Sequence, residues 1–149
     1  MTEIAFHFNM PDKLSYSCRL LRKIYLSGAT VAVTAEPDLL AELDMLLWKL
    51  SATEFVPHCL ATALPDTVAA TPIVLATPFP GAYVRDVLLN LGGSVPEGFE
   101  KFERLVEIVS QSPDDLQAGR RRWRHYADHG HNLKKHDLAN RAAGETGPR

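Results

Sequence analysis

The first fifty residues hold two apolar, β-prone stretches, each followed by an amphipathic segment of helix length, and this order restricts the fold more than any other feature. "IAFHFN", residues 4–9, alternates apolar and polar side chains with the period of a strand. "KLSYSCRLLRKIYLSG", 13–28, places Leu14, Cys18, Leu21, Ile24 and Tyr25 at helical spacing, with Gly28 as a C-cap. "TVAVTA", 30–35, is short and β-branched, as a buried parallel strand is. "EPDLLAELDMLLWKL", 36–50, has Pro37 near its start and acids in its first turn, both favourable there. Leu39, Leu40, Leu43, Leu46, Leu47 and Leu50 form its apolar stripe. Strands that alternate with helices pair in parallel, because the helix is the crossover that parallel pairing needs. The pattern predicts an α/β fold, three-layer and Rossmann-like, with a mainly parallel sheet flanked by helices and no nucleotide-binding loop.

The rest of the chain extends this pattern. "TPIVLAT", 71–77, and "YVRDVLLNLG", 83–92, suit two further strands. "KFERLVEIVS", 101–110, satisfies either period and is left as strand or helix. "SPDDLQAGRRRWRHYADHG", 112–130, opens on a Ser cap, Pro113 and two Asp, and stops at Gly130, which predicts a helix. A length of 149 residues suits one core. The expectation is a single domain over 1–137 and a frayed tail over 138–149, where little is available to bury.

Several chemistries lack their signatures. GxxxxGKS/T, GxGxxG and GxSxG are all absent, so neither a nucleotide cofactor nor a serine nucleophile is expected. His125 and His129 are spaced i, i+4, as two ligands on a helix would be, but no Cys or paired carboxylate accompanies them, and surface histidines are the reading preferred here. His58 adjoins Cys59, yet neighbours on a strand face opposite ways. Asp44 and Glu42 have no evident partner. No cofactor, metal or catalytic site is expected. The apolar runs fall short of the roughly 20 residues that a membrane helix needs. The start, "MTEIAFHFNM", lacks the basic region of a signal peptide, and the expectation is a cytoplasmic protein with two buried free thiols and no membrane contact.

Charge divides along the chain. Residues 1–117 carry 8 Lys/Arg against 15 Asp/Glu, and residues 118–149 carry 8 against 3. A basic end on an acidic body points to an anionic partner. Within "RRRWRHYADHG", Arg120, Trp123, Arg124 and Ala127 share one helical face, while Arg121, Arg122 and His125 point elsewhere. An aromatic ring between guanidinium groups suits a peptide with carboxylates and an apolar anchor. It also suits single-stranded nucleic acid, with Trp123 stacking on a base. In the competing structural reading, Trp123 and Tyr126 pack on the core and the arginines are solvated. A second apolar cluster follows the helix that ends near Trp48: Phe55, Val56, Pro57 and His58. Pro57 lacks an N–H and fits a turn or an edge. The cluster is a core corner or a docking patch, and periodicity alone favours the corner.

"AELDMLLWKLSATEFVPHCLA" followed by "RRRWRHYADHGHNL" resembles the chi subunit of bacterial DNA polymerase III. The opening "FHF" strand, the approach to the second strand and the closing basic helix agree in order. The resemblance implies a non-catalytic accessory subunit of the clamp-loader assembly, acting in DNA replication. It implies two partners: the acidic C-terminal tail of single-stranded-DNA-binding protein, and the psi subunit or a repair helicase. DNA would be met only indirectly, and the protein would be a monomer alone and a heterodimer with its partner. Carried onto this chain, the tail site comprises Arg120, Trp123, Arg124 and Ala127. The partner patch comprises Trp48, Phe55, Val56, Pro57 and His58. Ala127 stands where the family commonly has a basic residue, and His131 where it has an aromatic.

Overall fold

The strand–helix alternation becomes a seven-stranded sheet in the computed structural model, which describes residues 2–50, 56–76 and 85–141. Strands β1 (Glu3–Met10), β2 (Val31–Thr34), β3 (His58–Leu60), β4 (Ile73–Ala76), β5 (Val87–Asn90), β6 (Arg104–Ser110) and β7 (Leu133–Asp137) lie in the order β3-β4-β2-β5-β6-β1-β7. Every pairing is parallel. The helices are α1 (Lys13–Leu26), α2 (Pro37–Leu50), α3 (Pro65–Ala70), α4 (Pro113–Asp128) and α5 (Leu138–Arg141).

Side-chain alternation along the strands builds two cores. Val31, Val33, Leu89, Val106 and Ile108 face Leu21 and Ile24 of α1 and Leu40, Leu43 and Leu47 of α2. Ile4, Phe6, Leu88, Leu105 and Val109 face the opposite way, under Tyr126, Trp123 and Leu116 of α4. The three layers expected from the sequence follow directly. β1 changes phase at its end. Asn9 sits at φ 66, a left-handed conformation that Asn tolerates, and the pairing with β6 shifts between Phe8 and Met10. That bulge turns Met10 into the core beneath α1, while Phe8 stays on the α4 side.

Local signals set the helix ends. The Asp12 carboxylate accepts from the Leu14 and Ser15 N–H groups at 3.0 and 3.2 Å, and Gly28 follows the Ser27 cap at φ 90. Ser112 caps α4 through the Asp115 N–H, with Pro113 at its first position, and Gly130 ends the run at φ 82. The stretch 101–110 is resolved in favour of β6, preceded by a 3₁₀ turn at Phe99–Lys101. Four elements went unanticipated: β3, α3, β7 and α5. At 137, where the sequence predicts the domain to end, β7 passes directly into α5, and Leu138 packs against the α1–α2 core. The last residues, 142–149, lie outside the described residues. Both cysteines are free, but only Cys18 is buried; burial pushes its thiol up to about 11, whereas Cys59 is half-buried.

Candidate functional site

The two faces of α4 do different work. Its inner face is anchored by a polar cluster inside the core. Arg122 and Tyr126 both point at Glu107 of β6, and all three are buried. The Arg122 Nε donates to Glu107 Oε1 at 2.8 Å, and the Tyr126 hydroxyl donates to Oε2. Asn90 Nδ2 donates to both carboxylate oxygens at 3.0 and 3.1 Å and to the Ser94 carbonyl at 3.0 Å. Burial pushes the Glu107 carboxyl above the usual carboxylate range, and the Arg122 guanidinium opposes that rise. Burial and the neighbouring Glu107 also push the Tyr126 phenol up. The helical-face argument left Arg122 as one of the arginines pointing elsewhere; it is in fact an internal ion pair.

Beside this anchor, α4 and the edge of the sheet leave an open groove of about 320 Å³. Its wall on α4 is Leu116, Gly119, Arg120 and Trp123. Its floor is Phe6 and Phe8 of β1 with Val109 of β6, and Lys135 of β7 closes the far side. The Phe6 ring meets Trp123 edge-on with centroids 5.1 Å apart, which holds the indole half-buried against the floor. A side chain at Gly119 would meet both Val109 methyls at 3.0 Å, so glycine lets α4 lie this close to β6. Lys135 Nζ stands 5.4 Å from the Trp123 ring centroid. Neither Arg120 nor Lys135 has a carboxylate partner among the described residues. The site therefore offers an apolar slot between two uncompensated cations.

Of the four residues assigned to the tail site, the groove brings together Arg120 and Trp123. Arg124 and Ala127 are exposed on α4 and do not line it. The competing structural reading is also part of the picture, since Tyr126 is core and Trp123 packs on its rim. Phe6, Phe8, Leu116 and Lys135 were missed. Phe6 and Phe8 carried a signal, the alternation of β1, but not what would lie over them. Lys135 carried none, because β7 was not foreseen.

The second candidate patch is split by depth. Trp48 is 52% exposed at the end of α2, whereas Val56 is wholly buried in the α1–α2 core and His58 is 6% exposed. Pro57 is half-buried directly before β3, an edge strand, as its missing N–H suggested. The Trp48 and His58 rings lie 4.8 Å apart. His58 Nδ1 is 2.8 Å from the Val56 carbonyl, and Nε2 is 3.2 Å from Asp44 Oδ1. Asp44 thus gains the partner that the sequence did not reveal. Phe55 lies outside the described residues. Met45, Leu60 and Leu64 add exposed apolar surface to α2, β3 and the start of α3.

The His125 and His129 rings lie 4.2 Å apart on the exposed side of α4. Among the described residues, no group of three His, Cys, Asp or Glu side chains is arranged to hold a metal ion. No described helix is long and apolar enough to cross a membrane.

Residues 1–134 match the family model described as DNA polymerase III chi subunit, HolC. The chain is 33% identical to the DNA polymerase III subunit chi of Pseudomonas aeruginosa, covering 93% of this chain and 98% of that protein. It is 30% identical to the protein of that name from Escherichia coli K12, over 78% of this chain and 79% of the other. With the one from Haemophilus influenzae it shares 29% identity over 82% of this chain and 85% of the other.

Proposed function

The chain belongs to the DNA polymerase III chi subunit family, and from that premise we propose that it is a non-catalytic accessory subunit that couples the clamp loader to single-stranded-DNA-binding protein. The α4 groove receives the acidic C-terminal tail of that protein. A terminal aromatic side chain enters the slot over Phe6, Phe8 and Val109, and tail carboxylates pair with the cations at its rim. The observation that carries this reading is the groove itself, an apolar slot flanked by two cations, Arg120 and Lys135, that have no carboxylate partner among the described residues. The region around Trp48 and Phe55 is the docking site for psi or a comparable partner, in a one-to-one complex. Trp48 offers the large, half-exposed aromatic anchor common to such interfaces, with the buried His58 ring 4.8 Å from it.

The first test is fluorescence anisotropy of a labelled acidic peptide ending in Asp-Pro-Phe. The wild-type protein binds it in the micromolar range, and Arg120→Glu reduces the affinity at least about tenfold, because repulsion replaces a charge-assisted pair. Absence of binding by the wild type rejects the tail assignment. Equal binding of intact and tail-deleted single-stranded-DNA-binding protein rejects it as well.

A further inference from the structure

β7 alternates its side chains across the sheet edge. Lys134 turns to the α1 side and donates to Glu3 Oε2 at 2.8 Å, and His136 lies against His7 with rings 4.6 Å apart. Lys135, between them, turns the other way. It pairs in register with Phe6, the residue whose ring touches Trp123, and its ammonium stands over that indole. So one edge strand presents a lysine paired with Glu3 on one face and, on the groove face, a lysine with no carboxylate partner among the described residues. Arg120 approaches the same groove from α4. Arg124, one turn further along the helix, is outside it.

We propose that Lys135 is the second carboxylate-binding cation of this site, acting opposite Arg120, in the role that the family resemblance gave to Arg124. The inference rests on the tail-binding reading above and specifies how this chain performs it. In the free protein the ammonium rests on the Trp123 face, a weak attraction at an exposed site. A bound carboxylate offers it a charge-assisted hydrogen bond, and its aliphatic stem then covers the edge of the slot. Arg120 holds one carboxylate of the tail and Lys135 another, with the apolar side chain between them. Arg124 contributes only longer-range attraction, which salt screens within about 8–10 Å.

The experiment titrates the labelled Asp-Pro-Phe peptide, at about 0.15 M salt, with the wild type and with Lys135→Ala, Lys135→Arg and Arg124→Ala. Lys135→Ala weakens binding about tenfold, and Lys135→Arg restores most of it because charge and reach are kept. Arg124→Ala stays within about threefold of the wild type, as a screened rim charge does. Lys135 is exposed, so its variants fold normally, and circular dichroism checks this. Wild-type affinity in Lys135→Ala overturns the inference while leaving the tail reading intact, and so does a loss in Arg124→Ala that exceeds the loss in Lys135→Ala. Absence of peptide binding by the wild type overturns both.

Discussion

Arg122 is the residue whose role the sequence hid most completely. In "RRRWR" it looks like one of several solvated cations, yet while its neighbour Arg121 is exposed and Trp123 half-buried, it is 2% exposed against Glu107. Its Nε is satisfied, and its Nη1 and Nη2 have no hydrogen-bond partner among the described residues. A buried pair of this kind adds little net stability but makes each partner costly to remove alone. Arg122→Met should therefore destabilise the fold by about 3–5 kcal/mol at about pH 8. The loss should shrink towards about pH 5. The sign follows from Glu107. Its carboxyl is already raised by burial, and removing the guanidinium raises it further, so the variant's folded state holds its proton to higher pH. A carboxyl with a raised folded-state pKa is least costly below its unfolded value and loses stability as pH rises. Urea unfolding at the two pH values measures the difference, and a pH-independent loss would show that Glu107 does not respond to its partner. His131 is a milder case: its ring packs on Phe99 with centroids 5.4 Å apart.

At the scale of elements, what could be read from the sequence depended on length and on burial of both faces. β1, α1, β2, α2 and α4 lie where period and capping residues put them, because each is long enough to show a period or carries a terminal signal. β3 and α3, with three and six residues, are too short to show one. β7, "LKKHD", is an edge strand whose lysines resemble a loop, since it buries only part of one side. The start of α4 has a test of its own. Asp115 Oδ2 accepts from the Ser110 N–H at 2.7 Å and from Lys13 Nζ at 2.9 Å, which ties α4 to β6 and α1. Partial burial would raise the Asp115 carboxyl, but the Ser110 and Lys13 bonds outweigh it and hold it below the usual range. Such a group stabilises the fold above its unfolded value of about 3.9, and that contribution is lost as pH falls through the lower folded value. Asp115→Asn should cost about 1–2 kcal/mol near pH 7, with the wild type and the variant converging below about pH 4. Thermal unfolding across that range reads the convergence.

At the scale of the whole molecule, the fold joins the two ends of the chain to make one site. Phe6 and Phe8 come from the first strand, Lys135 from the last, and α4 lies over both. The sequence exposed the cations and the indole of α4 but not the wall across from them, because that wall depends on β1 and β7 being neighbours. The same assembly governs the choice between acidic peptide and nucleic acid. Single-strand binding requires cations along a path several nucleotides long with rings open for stacking. Here Trp123 is edge-packed on Phe6 with the Lys135 ammonium over its ring, so a stacking base would have to displace that ammonium. Beyond the basic end, the body carries 15 Asp/Glu against 8 Lys/Arg over residues 1–117, which repels a phosphate backbone as it leaves the groove. A tail with a few carboxylates is short enough to stay within the basic region. An oligonucleotide of about 20 nucleotides should give no mobility shift at protein concentrations that saturate the acidic peptide. The peptide affinity itself should fall only modestly between about 50 and about 300 mM salt, because few ionic contacts form. An oligonucleotide that binds and displaces the peptide would transfer the groove from protein to nucleic-acid recognition.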